Sequence, residues 1–356
     1  MQNKPLQKTD EFPLELVPAP LLEWYRANCR TLAWRENIHP YKTWVSEIML
    51  QQTRVEAAKD YFDRFLSALP TVQDLAECDE DKLLKLWEGL GYYSRARNMQ
   101  KAAKQVVNGY GGEFPSDVEK LKKLAGVGDY TAGAIASIAF GKRAPAVDGN
   151  VFRVLSRLMA NPTSIEEPAY RKYLEERLLA VYPQEGKDCS DFTQALMELG
   201  ALVCKPTSPD CGVCPLAHLC EASKKGRQTD FPVKKEKPAK KEERLYVFLI
   251  STPKGICIRK REKGVLKGTY EFPSVLISDG LTPEKTLKEW GMSEFKLLSH
   301  KKYTHIFTHI RWEMETYLVE AMDAPFQAYS LQEIEEEISL PTAFKQCLSL
   351  IKSKEK

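Results

Sequence analysis

Cys204, Cys211, Cys214 and Cys220 fall within 17 residues, separated by six, two and five others. Thiolates are soft donors, and four in one short loop can wrap one metal centre. The donor set alone suits both zinc and an iron–sulfur cluster. Zinc ribbons usually carry two Cys-x-x-Cys knuckles, and this loop has one. The remaining cysteines are scattered, and the N-terminal stretch lacks the apolar core of a signal peptide. Reduced thiols or metal ligands are therefore expected rather than disulfides.

A second chemical grouping lies in LAGVGDYTAGAIASIAFGKRAPAVDGNVFRVLSRL, from Leu124 to Leu158. Gly126 and Gly128 form a hairpin before an Ala-rich helix, and the free N–H groups of a helix start suit a phosphate. The same glycines could simply make a tight turn. Asp148 precedes a second amphipathic helix, where the helix dipole and unpaired N–H groups are expected to keep it ionised. It could also be an N-cap and nothing more. A phosphate clamp beside an anion suggests chemistry on a nucleic-acid sugar, where positive charge develops.

A second carboxylate, Glu47, borders the apolar helical face made by Trp44, Val45, Ile48 and Met49. Partial burial there raises a carboxyl pKa and favours a protonated acid at neutral pH. Gln51-Gln52-Thr53 follows, polar and uncharged, so these side chains can enter a base stack without burying a charge. Gly89 and Gly91 flank an exposed-looking Leu90, with Tyr92, Tyr93, Arg95 and Arg97 close behind. An apolar and aromatic wedge beside arginines can pry a duplex, although a Gly-rich turn capped by core tyrosines has the same composition. Arg30, Trp34 and Arg35 make either a structural knot or a stacking surface with phosphate contacts.

These groups need elements to hold them. The 356-residue chain is long for one domain, and its 43% hydrophobic content can supply more than one core. The period is helical up to about residue 222 and alternating from Arg244 onward. Helices are expected over Leu21–Asn28, in two pieces between Tyr41 and Leu66, and over Asp74–Trp87, Tyr170–Tyr182 and Asp191–Val203. RLYVFLIST, GICIRKR and RWEMETYLV read as strands, the last alternating Trp312, Met314 and Leu318 with Arg311, Glu313 and Tyr317. A helix is expected over Leu331–Lys352. The organisation is a disordered leader at 1–20, an all-α domain at 21–222 with the cysteine loop at 204–220, a basic linker at 223–243, and an α+β domain at 244–356. The linker carries a net charge of +4 against +3 for the whole chain, so nucleic-acid contact must come from local patches rather than a global field. No apolar run approaches a membrane span. A cytoplasmic, bacterial, nucleoid-associated protein is the expectation.

The Leu124–Leu158 stretch resembles the helix-hairpin-helix and catalytic Asp of the endonuclease III superfamily of DNA repair glycosylases. The spacing of the four cysteines is that of the 4Fe–4S loop in the same superfamily. KGTYEFPSVLI resembles part of the Nudix fold. The paired-carboxylate box that binds Mg2+ in that fold is missing, since TPEKTLKEWGM offers only Glu284 and Glu289. A recognition role therefore suits the second domain better than hydrolysis. Over roughly Leu21 to Ile351 the chain looks like a MutY-type adenine DNA glycosylase, with the SEIMLQQT helix, the hairpin, VDGN, the cluster loop and a Nudix-like domain in the family order. The resemblance implies an all-α helix-hairpin-helix glycosylase domain with an iron–sulfur loop, followed by an α+β Nudix-like domain.

It also implies roles. Glu47 matches the general acid and Asp148 the carboxylate that stabilises or traps the sugar cation, with Tyr130 and Asn150 as active-site neighbours. Gln51, Gln52, Leu90 and Tyr92 fall among residues that probe the stack, and Gly126 and Gly128 in the phosphate-binding hairpin. Arg30 and Gln194 fall where the family lines the adenine pocket, and Trp34 is expected with them among the DNA- and base-binding residues. Phe307, Thr308 and His309 match the loop that reads 8-oxoguanine, usually Phe-Ser-His; Thr308 keeps the hydroxyl and adds a methyl. The ligands of a 4Fe–4S cluster would be Cys204, Cys211, Cys214 and Cys220. The implied activity is monofunctional hydrolysis of the N-glycosidic bond of a flipped adenine opposite 8-oxoguanine or guanine in duplex DNA, carried out by a monomer. In bifunctional relatives a Lys stands where this chain has Tyr130. The alternatives are such a bifunctional glycosylase/lyase, a non-enzymatic iron–sulfur DNA-binding or redox protein, and a nucleotide pyrophosphatase.

Overall fold

The computed structural model describes residues 12–184, 186–235 and 238–352. Its contacts divide the chain into two compact units. One comprises Met1–Glu77 with Asn98–Glu236, the other Cys78–Arg97 with Lys237–Lys356.

Among its described residues the first unit is helical, without strands. The disordered leader expected at 1–20 does not hold for residues 12–20. Residues 1–11 lie outside the described residues, but Phe12, Leu14 and Val17 are buried with Val151, Phe152, Leu155, Tyr170 and Phe192 in one core. The first helix starts at Pro18 rather than Leu21 and runs to Asn28, with proline in its first turn, where no N–H partner is required. Pro40–Leu50 and Val55–Ala68 follow, separated by the Gln51-Gln52-Thr53 break. Asp129–Ala134 continues into a π-helical turn, Ile135–Ala139. Gly149–Leu158, Pro168–Val181 and Lys187–Leu202 complete the frame of the site.

The stretch read as a linker is also partly structured. Glu221–Lys224 is a helical turn, Phe231 is buried, and its carbonyl accepts a hydrogen bond from the buried Arg157 at 3.0 Å. Charge density suggested solvation here, but one aromatic anchor and one buried guanidinium hold the first half of the stretch to the first unit's core.

The second unit is a mixed sheet. Its strands are β1 Lys241–Thr252, β2 Gly255–Lys260, β3 Tyr270–Glu271, β4 Ser274–Leu276, β5 Phe295–Ile306, β6 Ile310–Ala321 and β7 Gln327–Tyr329. The order is β3-β2-β1-β6-β5, with β4 also on β1 and β7 on β2. β1 and β6 run parallel from Lys241↔Ile310 to Ser251↔Glu320. Trp312, Met314 and Leu318 do alternate inward, meeting Ile334, Phe344 and Leu348 on one face. Phe248, Ile250 and Val319 meet Leu287 of the Pro283–Glu289 helix on the other. The expected Leu331–Lys352 helix is broken into Leu331–Glu336, Thr342–Lys345, a 3-10 turn and Ser349–Lys352. Pro341 lacks the N–H that would carry one helix through.

Residues 78–97 pack with this sheet, although the sequence reading placed them in the helical domain. The expected Asp74–Trp87 helix is two helices, Val72–Glu77 and Glu80–Leu86, because Asp79 turns its carboxylate onto the N–H groups of Asp81 and Lys82 as an N-cap. Asp81 then accepts from Lys260 Nζ at 2.7 Å and from the Tyr270 hydroxyl at 3.1 Å. Ser339 Oγ donates to Leu84 O at 2.9 Å, and Arg97 Nη1 to Lys267 O at 3.0 Å. A helical period shows that these residues are helical; it carries nothing about which unit they join.

Candidate active site and cluster loop

The Pro40–Leu50 helix buries almost every side chain from Tyr41 to Met49, and Glu47 is buried among them. The Tyr130 hydroxyl, from the first turn of the hairpin helix, donates to Glu47 Oε2. Burial drives the Glu47 carboxyl up to about 7. The Asp148 charge adds to that rise, while Tyr130 and Arg35 oppose it. Burial and the same two carboxylates push the Tyr130 phenol well above its usual range, so it stays a donor.

Asp148 is the N-cap of Gly149–Leu158. Its Oδ1 accepts from Val151 N at 2.8 Å, and its Oδ2 from Asn150 Nδ2 at 2.7 Å. The sequence suggested that these donors hold its pKa low. Instead the pKa is raised, because burial outweighs the Val151 and Asn150 hydrogen bonds. Asn150 is held in turn by Arg153, whose Nη2 donates to Asn150 Oδ1 at 2.8 Å and to Gly200 O at 2.9 Å, and whose Nε donates to Cys204 O at 2.8 Å.

Two glycines let these elements meet. A Cβ on Gly133 would lie 2.1 Å from Pro145 O, and one on Gly200 would lie 2.5 Å from Asn150 Cβ. Real side chains never come so close, so Gly133 and Gly200 are what admit the Asp148 loop against the hairpin helix and the Asp148 helix against Lys187–Leu202. Neither was singled out from the sequence; glycine inside an otherwise helical stretch was the available signal.

The other expected site residues divide. Gly126 and Gly128 do form the hairpin turn, and Gly128 is the N-cap of Asp129–Ala134. Gln51 reaches Thr131 Oγ1 at 3.5 Å, and Gln52 adopts a left-handed φ of 61°. Arg30 is committed to the buried Glu198 through N, Nε and Nη2 at 2.8–3.0 Å, with Arg35 Nη2 adding a further bond at 2.9 Å. Burial alone would raise the Glu198 pKa, yet these two guanidiniums bring it down to about 2. Gln194 bonds Ser190 within its own helix. Trp34, expected on the DNA-binding side, is instead a core side chain, buried and edge-on to Phe62 at 5.3 Å. Leu90 is buried rather than exposed.

In the second unit, Phe307-Thr308-His309 is the turn of the β5–β6 hairpin, closed by Phe307 N to Ile310 O at 2.8 Å. Phe307 packs edge-on to Trp312 at 4.8 Å, whereas Thr308 and His309 are exposed. The Thr308 and Tyr92 hydroxyls are hydrogen-bonded to each other. A cavity of about 1010 Å³ is lined by Leu90 and Tyr92 from one side and Phe307, Thr308 and His309 from the other.

All four loop cysteines line one cavity, walled by Val154, Leu158, Leu199 and Leu216. Among the described residues no three His, Cys, Asp or Glu side chains close on a point fit for a single metal ion. Four thiols around one cavity supply the donor set that a four-iron cluster takes. Arg157, fully buried, donates to Cys204 Sγ at 3.3 Å, Lys205 O at 2.7 Å and Pro206 O at 2.7 Å, and so fixes the loop and shields thiolate charge. The residues present fit the cluster.

A helical unit with a glycine hairpin, an inward pair of carboxylates and a cysteine loop defines a helix-hairpin-helix base excision repair protein. The HhH-GPD superfamily base excision DNA repair protein description matches residues 45–179, the iron–sulfur binding domain of endonuclease III matches 204–220, and a NUDIX domain matches 246–350. The adenine DNA glycosylase of Mus musculus is 33% identical over 368 residues, covering 86% of this chain and 70% of that protein. The adenine DNA glycosylase of Buchnera aphidicola subsp. Schizaphis graminum is 35% identical over 298 residues, covering 81% and 83%. That of Arabidopsis thaliana is 35% identical over 351 residues, 82% of this chain, but the match spans only 55% of its own length. A solved thermostable thymine-DNA glycosylase superposes with a TM-score of 0.53 at 29% identity, covering 59% of this chain and 96% of that one. A trapped endonuclease III–DNA covalent intermediate gives 0.52 at 26%, covering 62% and 98%. The chain belongs to the adenine DNA glycosylase family. Members of that family are DNA N-glycosylases, hydrolases acting on N-glycosyl bonds, and the Cys204–Cys220 loop is a 4Fe–4S cluster loop.

Proposed function

We propose that this chain binds duplex DNA and excises adenine lying opposite 8-oxoguanine or guanine, by hydrolysis and without a lyase step. The observation that carries the chemistry is the buried Glu47, with a pKa of about 7, bonded to Tyr130 and electrostatically coupled to Asp148. A carboxyl poised at neutral pH can deliver a proton, and adenine leaves poorly until protonated. The adenine must leave the base stack to reach a buried acid. Glu47 donates its proton to N7, the C1′–N9 bond breaks with its electron pair going to the base, and the sugar becomes an oxocarbenium ion. Asp148 lies near that positive charge and either stabilises it or adds to C1′ until water replaces it. Tyr130 and Asn150 orient the two carboxylates. With Tyr130 where a Schiff-base lysine would stand, no amine is offered to C1′. The cluster, when bound at Cys204, Cys211, Cys214 and Cys220, supplies a fixed, electron-rich anchor for the loop.

The β5–β6 turn and the Leu90–Tyr92 loop line one cavity with hydroxyl and imidazole groups, which supports reading it as the site for the purine opposite adenine. Both carboxylates and the ligand cysteines come from one chain, so a monomer suffices. Single-turnover base release from A:8-oxoguanine, A:G, A:T and C:8-oxoguanine duplexes tests the reading. Release from the first two alone is the expected result; release of a pyrimidine, or strand cleavage coupled to release, would replace it.

A further inference from the structure

The Leu90–Tyr92 loop has an unusual backbone. Gly89 and Gly91 have φ of 99° and 69°, and Tyr92, which has a Cβ, has φ of 46°. A non-glycine residue in the left-handed region is strained and persists only where its surroundings impose it. Arg95 is what the surroundings supply. Its Nη2 donates to Leu90 O at 2.9 Å and Gly91 O at 3.2 Å. Its guanidinium carbon lies 5.2 Å from the Trp87 ring centre and 5.7 Å from that of Tyr92. Trp87 Nε1 also donates to Gly91 O, at 3.0 Å. Two donors thus converge on one turn carbonyl, and one planar cation lies near both rings. The ring held in this way is the one whose hydroxyl bonds Thr308.

We propose that Arg95 is a positioning residue that sets the Leu90–Gly91–Tyr92 loop against the Thr308 hydroxyl, and thereby sets how strongly the cavity separates 8-oxoguanine from guanine. The proposal rests on reading that cavity as the purine-recognition site. Arg95 is not among the residues that line the cavity. It acts through the shape of the loop: one guanidinium nitrogen, Nη2, donates to both carbonyls while the planar group lies near the Trp87 and Tyr92 rings, a combination that lysine's compact ammonium does not reproduce.

The test uses the full chain with its cluster, and variants Arg95→Lys and Arg95→Gln. Adenine release is measured under single turnover from A:8-oxoguanine and A:G duplexes. Release opposite 8-oxoguanine is expected to fall about tenfold more than release opposite guanine in both variants, with no rescue by lysine. In a double-mutant cycle with Thr308→Val, the two effects on the ratio should be non-additive, because both act on one contact. If the Arg95 variants are poorly folded, Trp87→Phe deletes the Nε1 donor to Gly91 while keeping an aromatic ring beside Arg95, and should move the ratio the same way. Folded variants with the wild-type ratio, equal losses on both duplexes, or additive effects with Thr308→Val overturn the proposal. A wild-type protein indifferent to 8-oxoguanine overturns the cavity reading, and the proposal with it.

Discussion

The Tyr130 hydroxyl donates a hydrogen bond to Oε2 of the buried Glu47, and that bond opposes the burial that drives the Glu47 carboxyl up to about 7. The acid form of Glu47 is the competent one, so single-turnover adenine release should fall as pH rises through about 7. Tyr130→Phe removes an interaction that favours the carboxylate. The descending limb should therefore move to higher pH, even if the maximal rate drops. A limb that stays fixed, or moves down, would show that Glu47 is not the titrating acid.

The same shift enters stability. The Glu47 pKa is raised from 4.5 to about 7, so its favourable contribution is complete below 4.5 and is lost as pH climbs to about 7. At pH 8 a charged, buried carboxylate remains, and Glu47→Gln should relieve up to ~3 kcal/mol of that cost. Denaturant midpoints at pH 5 and pH 8 check the sign: the variant should gain on wild type only at the higher pH.

Glu47→Gln and Asp148→Asn should each slow adenine release by at least about 10²-fold while leaving duplex binding nearly intact, since each group is assigned to proton transfer or transition-state charge. Electrophoretic titration of a duplex beside the single-turnover rate separates the two effects. Binding and rate lost together would remove the catalytic assignment.

Arg153 and Arg157 lie four residues apart on one helix, yet should fail differently. Arg157 serves the cluster loop, bonding Cys204 Sγ, Lys205 O and Pro206 O. Arg157→Met should lose iron and the brown absorbance. Arg153 ties Asn150 Oδ1 to Cys204 O and Gly200 O. Arg153→Met should keep more of its iron and lose more rate per cluster bound. Iron content measured beside the rate decides; equal loss of both in both variants would mean that Arg153 is only a loop anchor.

How much of this could be read beforehand depended on whether a residue's neighbours were local. Asp148 as a helix cap, Glu47 on the border of an apolar face, and Trp312, Met314 and Leu318 on one side of a strand all follow from spacing within a few residues. Arg153 and Arg157 look like ordinary helix cations until Cys204, some 50 positions on, is folded against them. Gly133 and Gly200 matter only for backbones distant in sequence. Strand β5, KLLSHKKYTH with exposed lysines on the sheet edge, lacked the apolar alternation that revealed β1 and β6. Trp34 and Leu90 were misplaced for the converse reason: aromatic and apolar side chains beside arginine suit a core as well as a wedge, and only burial separates the two.

The turn of the β5–β6 hairpin combines a packing residue with two exposed polar ones. Phe307 packs on Trp312 and helps hold the sheet together, so Phe307→Ala should cost stability, about 1 kcal/mol from the aromatic pair alone. It is a poor probe of recognition. Thr308 and His309 are exposed, and their hydroxyl and imidazole N–H can hydrogen-bond a purine edge. Hydrogen-bonding groups discriminate strongly against a partner that leaves them unpaired, whereas apolar contact discriminates weakly. Thr308→Val keeps the shape and deletes the hydroxyl; with His309→Ala it should sharply lower the ratio of release from A:8-oxoguanine to release from A:G. Thr308→Ser keeps the hydroxyl and should keep the ratio. Adenine release itself should persist in all three, since Glu47 and Asp148 belong to the helical unit. If Thr308→Val and His309→Ala stay folded and retain the wild-type ratio, the turn is a hairpin closure and recognition of the opposite base must be sought elsewhere.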